Sequence, residues 1–104
     1  MSASVELWTD RLDRKQAADV SALLDRATAA DGTAPVSEQG VHAVSGAGGD
    51  GVRHLVETDA HRIVGYAQLQ PGHGEHPAMA ELAVDPEARG RGIGSRLVTE
   101  VLSE

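Results

Sequence analysis

At 104 residues the chain suits one domain and not two. Hydrophobic residues make up 40% and charged residues 24%, an ordinary soluble mixture, and the formal net charge of -7 argues against a general nucleic-acid binder. Cysteine is absent, which removes disulfides, thiolate metal sites and cysteine nucleophiles and fits a cytoplasmic protein. The first residues lack the charged and then apolar layout of a signal peptide. No apolar run approaches the ~20 residues of a membrane span. Trp8 and Tyr66 are the only aromatic residues, so Ala, Val, Leu and Ile must build the core.

Residues 5–8 read as a short first strand. Asp13 offers an N-cap with Gln16 three residues on, and Ala17, Val20, Leu23, Leu24 and Ala27 follow at helical spacing. The spacing predicts a helix over 14–30 that stops at Asp31-Gly32. Lys15, Asp19, Asp25 and Arg26 fall on its outer face. After the break at Pro35, Ser37 caps a second short helix over 38–44. Glu38 then has two readings, a charge favoured at a helix start or a ligand.

Gly46 to Gly51 form a formal G-x-G-x-x-G, but the run follows a helix and precedes a strand. A dinucleotide fingerprint requires the reverse order, so the run reads as a flexible loop. Residues 52–58 and 63–70 are strand-like and joined by a turn, which predicts a hairpin. Gly65 inside the second strand marks a bulge or a close backbone approach. His73, Glu75 and His76 share a loop with no supporting partners, so they read as solvated and no metal is expected. His42, His54 and His61 are scattered and read the same way.

Residues 78–84 are short and mostly apolar, and read as a central strand. Asp85-Pro86-Glu87-Ala88 turns the chain, with Pro86 at the position that wants its fixed φ. The next stretch is Arg89-Gly90-Arg91-Gly92-Ile93-Gly94-Ser95, before a helix whose apolar face carries Ile93, Leu97, Val98, Val101 and Leu102. Glycines at alternate positions expose backbone N–H groups at a helix N-terminus, an anion site suited to a pyrophosphate. Arg89, Arg91 and Arg96 add a local basic spot on an acidic chain. Glu81 reads as an outward-facing charge. The order β-α-α-β-β-β-α with an antiparallel hairpin gives an α+β or mixed α/β class.

Three phosphate loops compete for the glycine run. A Walker loop needs G-K-[ST], and Gly94-Ser95-Arg96 has no lysine. A Rossmann loop needs G-x-G-x-x-G/A, and Ser95 stands where the last small residue belongs. The pattern [RQ]-x-x-G-x-[GA] after a V-x-P turn is met at every position by Val84-Asp85-Pro86 and 89–94. That pattern resembles the GNAT superfamily, the acetyl-CoA-dependent N-acetyltransferases. The resemblance implies a mixed, largely antiparallel sheet with flanking helices. It implies that the amides of Arg89, Gly90, Arg91, Gly92, Ile93, Gly94 and Ser95 hold the coenzyme A pyrophosphate. It implies further that the backbone of Leu82, Ala83 and Val84 pairs with the pantetheine arm.

The run from Ala29 to Gln39, Gly65-Tyr66 and the stretch 78–82 also resemble the N-terminal half of the mycothiol synthase family, whose members have two tandem GNAT domains. There the acceptor is a small-molecule amine, the cysteinyl amine of cysteinyl-glucosaminyl-inositol, and the acid matching Glu38 is a candidate contact to it. Active relatives often carry a glutamate where this chain has Ala78, so a catalytically silent donor-binding module is the alternative. Glu81, three residues on, lies on the other strand face and cannot simply replace it. The resemblance makes residues 1–104 a single GNAT-like domain, incomplete after the helix that follows the loop. The expectation is that it is weakly stable alone, oligomeric, or completed by a second GNAT domain.

Overall fold

A computed structural model describes residues 4–5, 8–46, 51–60, 62–72, 74–75 and 77–103. Helix α1 (Arg14–Asp31) starts at the predicted capping box. Asp13 accepts from the Gln16 amide at 2.7 Å, and Gln16 accepts in return from the Asp13 amide at 2.9 Å. It ends at Gly32, which takes the left-handed conformation at φ 77° and donates to the Thr28 carbonyl. Helix α2 (Glu38–Val44) starts at Ser37, whose hydroxyl accepts from the Gly40 amide at 3.1 Å.

The strands β1 (Ser4–Val5), β2 (Arg53–Asp59), β3 (Arg62–Gln70) and β4 (Met79–Val84) form one antiparallel sheet in the order β1-β2-β3-β4. The N-terminal segment meets β2 twice. β1 pairs with it, and Thr9 bridges His54 through two backbone hydrogen bonds of 2.8 Å. Helix α3 (Ile93–Leu102) closes the described chain.

The predicted irregularity at Gly65 is a β-bulge. Glu57 pairs with Gly65 but Thr58 pairs with Ile63, which leaves Val64 as the extra residue. Val64 joins the apolar cluster under α3, and a Cβ at Gly65 would meet Ile93 and Leu97 of α3. Two successive residues thus face the same side, and Tyr66 returns to the other.

The sheet divides two cores. Leu23, Leu24, Val36, Val56, Ile63, Tyr66 and Ala83 pack on the face covered by α1 and α2. Leu55, Val64, Ala67, Ala88, Ile93 and Leu97 pack on the face covered by α3, with Trp8, Leu82 and Val84 against them. Among the described residues Tyr66 is the single aromatic side chain in an otherwise aliphatic set of buried hydrophobic residues, in keeping with the composition.

Among the described residues β4 pairs only with β3. Its apolar character comes from having both faces covered, Ala83 toward α1 and Leu82 and Val84 toward α3. The turn after it is a short 3₁₀ helix, Pro86–Ala88, capped by Asp85, which accepts from the Glu87 amide at 3.0 Å. Proline still suits its first position, where no N–H is needed.

Candidate functional site

The glycine loop forms where β4 gives way to α3. Gly90 and Gly92 sit at φ 83° and 80°, left-handed conformations that cost a side-chain-bearing residue energy. Gly92 is the N-cap of α3 and supplies no side-chain acceptor, so the first amides of the helix keep their donors free of a capping side chain. The result is a concavity of about 350 Å³ lined by Val84, Ala88, Arg89, Gly90, Gly92, Ile93, Gly94 and Ser95. Six of the seven loop residues singled out in the sequence are therefore in one place. Arg91 is not in the lining.

The arginines do not form a free basic spot. Arg89 grips Asp31 at the end of α1 with two hydrogen bonds of 2.8 and 2.7 Å. This bond holds the Asp31 carboxyl below its ordinary range. Arg91 reaches Asp59 at 3.3 Å. Arg96 holds the fully buried Glu57 of β2 through Nε at 3.2 Å and Nη2 at 2.5 Å. Each guanidinium therefore ties the loop or its helix to another element. The anion-attracting part of the site is its amides and the helix dipole rather than unpaired cations. Sequence spacing gathers the cations, but only folding brings up acids that lie 32 to 58 positions away.

β4 contributes backbone. The Asp85 amide donates to the Val64 carbonyl at 2.8 Å, and Tyr66 is opposite Ala83. Bonded and non-bonded pairs alternate in an antiparallel ladder. The backbone groups of Ala83 are thus taken up by β3, while those of Leu82 and Val84 turn to the open edge. Of the three residues read as the pantetheine rail, two have backbone with no strand partner among the described residues. Val84 also lines the loop concavity; Leu82 and Ala83 do not.

Glu38 lies elsewhere. It opens α2, on the opposite side of the sheet from α3, and is exposed. Glu81 is not an outward-facing charge. It accepts from both the amide and the hydroxyl of Ser37, the latter at 2.7 Å, and so fastens the start of α2 to β4. A strand's outward side is fully solvated only if nothing lies over it, and here the α2 N-cap reaches the Glu81 carboxylate. Ala78, where the resemblance expects a glutamate, is exposed just before β4.

Several polar residues that spacing alone assigned no role are buried. Asp85 is fully buried and accepts from Arg26 and Arg62, each at 2.8 Å. Burial opposes its charge, but the Glu87 amide and then the Arg26 and Arg62 guanidiniums outweigh that and hold its carboxyl below the ordinary range. Arg26 is thus half-buried against the turn rather than only an outer-face charge. His54 is buried, not solvated, with Nδ1 at 2.6 Å from the Tyr66 hydroxyl. Burial lowers its pKa, partly offset by Asp10. Burial also raises the Tyr66 pKa. Gln68 donates to the Tyr66 oxygen and to the Gly40 carbonyl, both at 2.9 Å. A signal for Gln68 existed: it stands inside a strand whose middle otherwise reads as apolar.

Glu75 is exposed, and His61, His73, His76 and most of the 46–51 glycine run lie outside the described residues. Among the described residues no three His, Cys, Asp or Glu side chains gather as a metal-binding group, and no helix is long and apolar enough to cross a membrane.

Comparison with known proteins bears on this loop directly. The family model described as acetyltransferase (GNAT) domain matches residues 50–104, from the segment before β2 through α3. A mycothiol acetyltransferase of Rhodococcus opacus is 92% identical over 99% of this chain and 34% of its own length. That of Rhodococcus jostii is 89% identical over the whole chain, again 34% of its own length, and that of Mycolicibacterium smegmatis is 46% identical over 93% of the chain. The chain therefore spans about a third of the length of the curated relatives it matches. An integron cassette protein from the mobile metagenome of V. cholerae has the same fold, with a TM-score of 0.59 and 22% identity over 99% of this chain and 67% of its own. With β4, the glycine loop and α3 all inside the matched segment, the chain belongs to the acetyltransferase (GNAT) domain family.

Proposed function

We propose that this chain is a GNAT domain that holds acetyl-CoA for transfer of its acetyl group to the cysteinyl amine of cysteinyl-glucosaminyl-inositol, as part of a mycothiol acetyltransferase acting in the cytoplasm. The observation that carries the reading is the loop concavity, with two left-handed glycines and an uncapped helix start beside an open strand edge. The diphosphate of the donor binds the loop amides of 89–95, where the helix dipole favours it. The pantetheine arm, an extended chain with amide groups, adds to the free backbone of Leu82 and Val84. This directs the thioester along β4 away from the loop. The acceptor amine approaches from the α2 side, where Glu38 is exposed to attract it.

Transfer itself forms an amide C–N bond as the thioester C–S bond breaks; the amine gives up a proton and coenzyme A leaves as the thiol. Direct attack needs no protein nucleophile, so the absence of cysteine is no obstacle. Positioning supplies the rate gain that two ordered reactants allow.

Calorimetric titration with acetyl-CoA tests donor binding, and the expected result is one site per chain. Absence of heat and of any thermal shift at millimolar donor would sink the proposal. The match of relatives three times as long favours a second reading, a donor-binding module that supports catalysis in another domain. Ala78 in place of an acid and the engagement of Glu81 with Ser37 support it. Release of free thiol on adding cysteinyl-glucosaminyl-inositol separates the two.

A further inference from the structure

The Arg96 guanidinium is shared between two partners. Nε and Nη2 hold Glu57, which is fully buried in β2 on the α3 side of the sheet. Nη1 donates to the Arg91 carbonyl at 3.3 Å. The same nitrogen lies 3.5 Å from where a Cβ at Gly92 would stand, so the group rests against the Arg91–Gly92 peptide. The peptide is trans, so the Arg91 carbonyl and the Gly92 N–H point in opposite directions. Gly92 lines the loop concavity, whereas Arg91 and Arg96 do not. A carbonyl turned into an anion site repels its ligand; an amide turned into it attracts.

We infer that Glu57 and Arg96 are positioning residues for the acetyl donor: the buried carboxylate fixes the guanidinium, the guanidinium holds the Arg91 carbonyl out of the concavity, and the Gly92 amide is thereby aimed at the diphosphate. This rests on the proposal that the loop binds acetyl-CoA. The buried acid is what makes the arrangement rigid. A surface arginine is free to leave the carbonyl, but Arg96 cannot leave Glu57 without stranding a charge in the core. Lysine cannot replace it, because one ammonium cannot hold a carboxylate in a fork and reach the carbonyl as well.

The test is calorimetric titration of acetyl-CoA into the wild-type chain and three variants, each followed by a thermal melt. Arg96→Lys keeps the charge but loses the fork. Glu57→Gln with Arg96→Met removes both charges together and leaves none stranded. Val101→Ala loosens α3 against its core without touching the loop. The first two are expected to bind the donor about tenfold more weakly, the worth of one aimed hydrogen bond to a charged ligand. Val101→Ala is expected to bind within twofold of wild type at temperatures well below its melt. Wild-type affinity in Arg96→Lys or in the double variant overturns the inference and leaves donor binding standing. Equal weakening in Val101→Ala also overturns it, because a loosened helix would then explain the loss. A silent wild-type titration overturns donor binding first, and this inference with it.

Discussion

Gly65 shows how one residue sets the approach of a helix. A Cβ there would stand 2.7 Å from Ile93 Cγ2 and 3.1 Å from Leu97 Cδ1, so α3 would have to move. Gly65→Ala is expected to cost about 1–3 kcal/mol, the usual price of overpacking, read from urea melts. Gly90 is the contrast. Nothing lies within 4 Å of its missing side chain, so Gly90→Ala bears only the strain of φ 83°, about 1 kcal/mol. Asp85 gives a pH prediction. Its folded pKa is lowered, so its stabilisation is present above the unfolded carboxylate value of about 3.9 and is lost as pH falls through the folded value. Asp85→Asn is expected to lower the urea midpoint at neutral pH and to flatten the decline of that midpoint in acid. An unchanged acid slope would show that other carboxylates dominate. Glycine roles were legible in the sequence because a glycine inside a strand has few explanations. The burial of Asp85 was not, since Asp-Pro-Glu also makes an ordinary exposed turn.

At the scale of elements, α2 is a short helix held by side chains as much as by its apolar face. Glu81 fastens its start through Ser37, and Gln68 fastens its first turn through the Gly40 carbonyl. Glu81→Ala is expected to cost about 1 kcal/mol and to speed amide exchange in α2 while leaving α3 unchanged. Equal protection of α2 in the variant would mean that its apolar contacts suffice. The capping signals of α1 and α2 were readable because they are local: donor and acceptor lie three residues apart. The tie of Glu81 to Ser37 was not, because it joins residues 44 positions apart.

Across the whole molecule, one sheet serves two cores. Trp8 packs on the α3 side, while the longest helix, α1, covers the other. The strands β2, β3 and β4 contribute to both through alternate residues, so the two cores share one sheet. Unfolding in urea followed by Trp8 fluorescence is expected to coincide with the loss of far-UV ellipticity, which α1 dominates. Separate midpoints would show that the α3 layer leaves before the α1 layer. The same arrangement puts the glycine loop with α3 on one side of the sheet and Glu38 with α2 on the other. Under the proposed function, donor and acceptor approach β4 from these two sides.

The chain's own order of residues determined the helix caps, the hairpin, the bulge at Gly65 and the glycine loop with its family likeness. All of these depend on neighbours within a few positions, where backbone geometry and spacing act directly. Only the tertiary structure decided that the loop arginines are paired and that Glu57 and Asp85 are buried charges with partners. Those outcomes join residues 23 to 59 positions apart. A charged residue looks the same in sequence whether it meets water or a distant partner, and burial, which only the assembled fold sets, makes the difference.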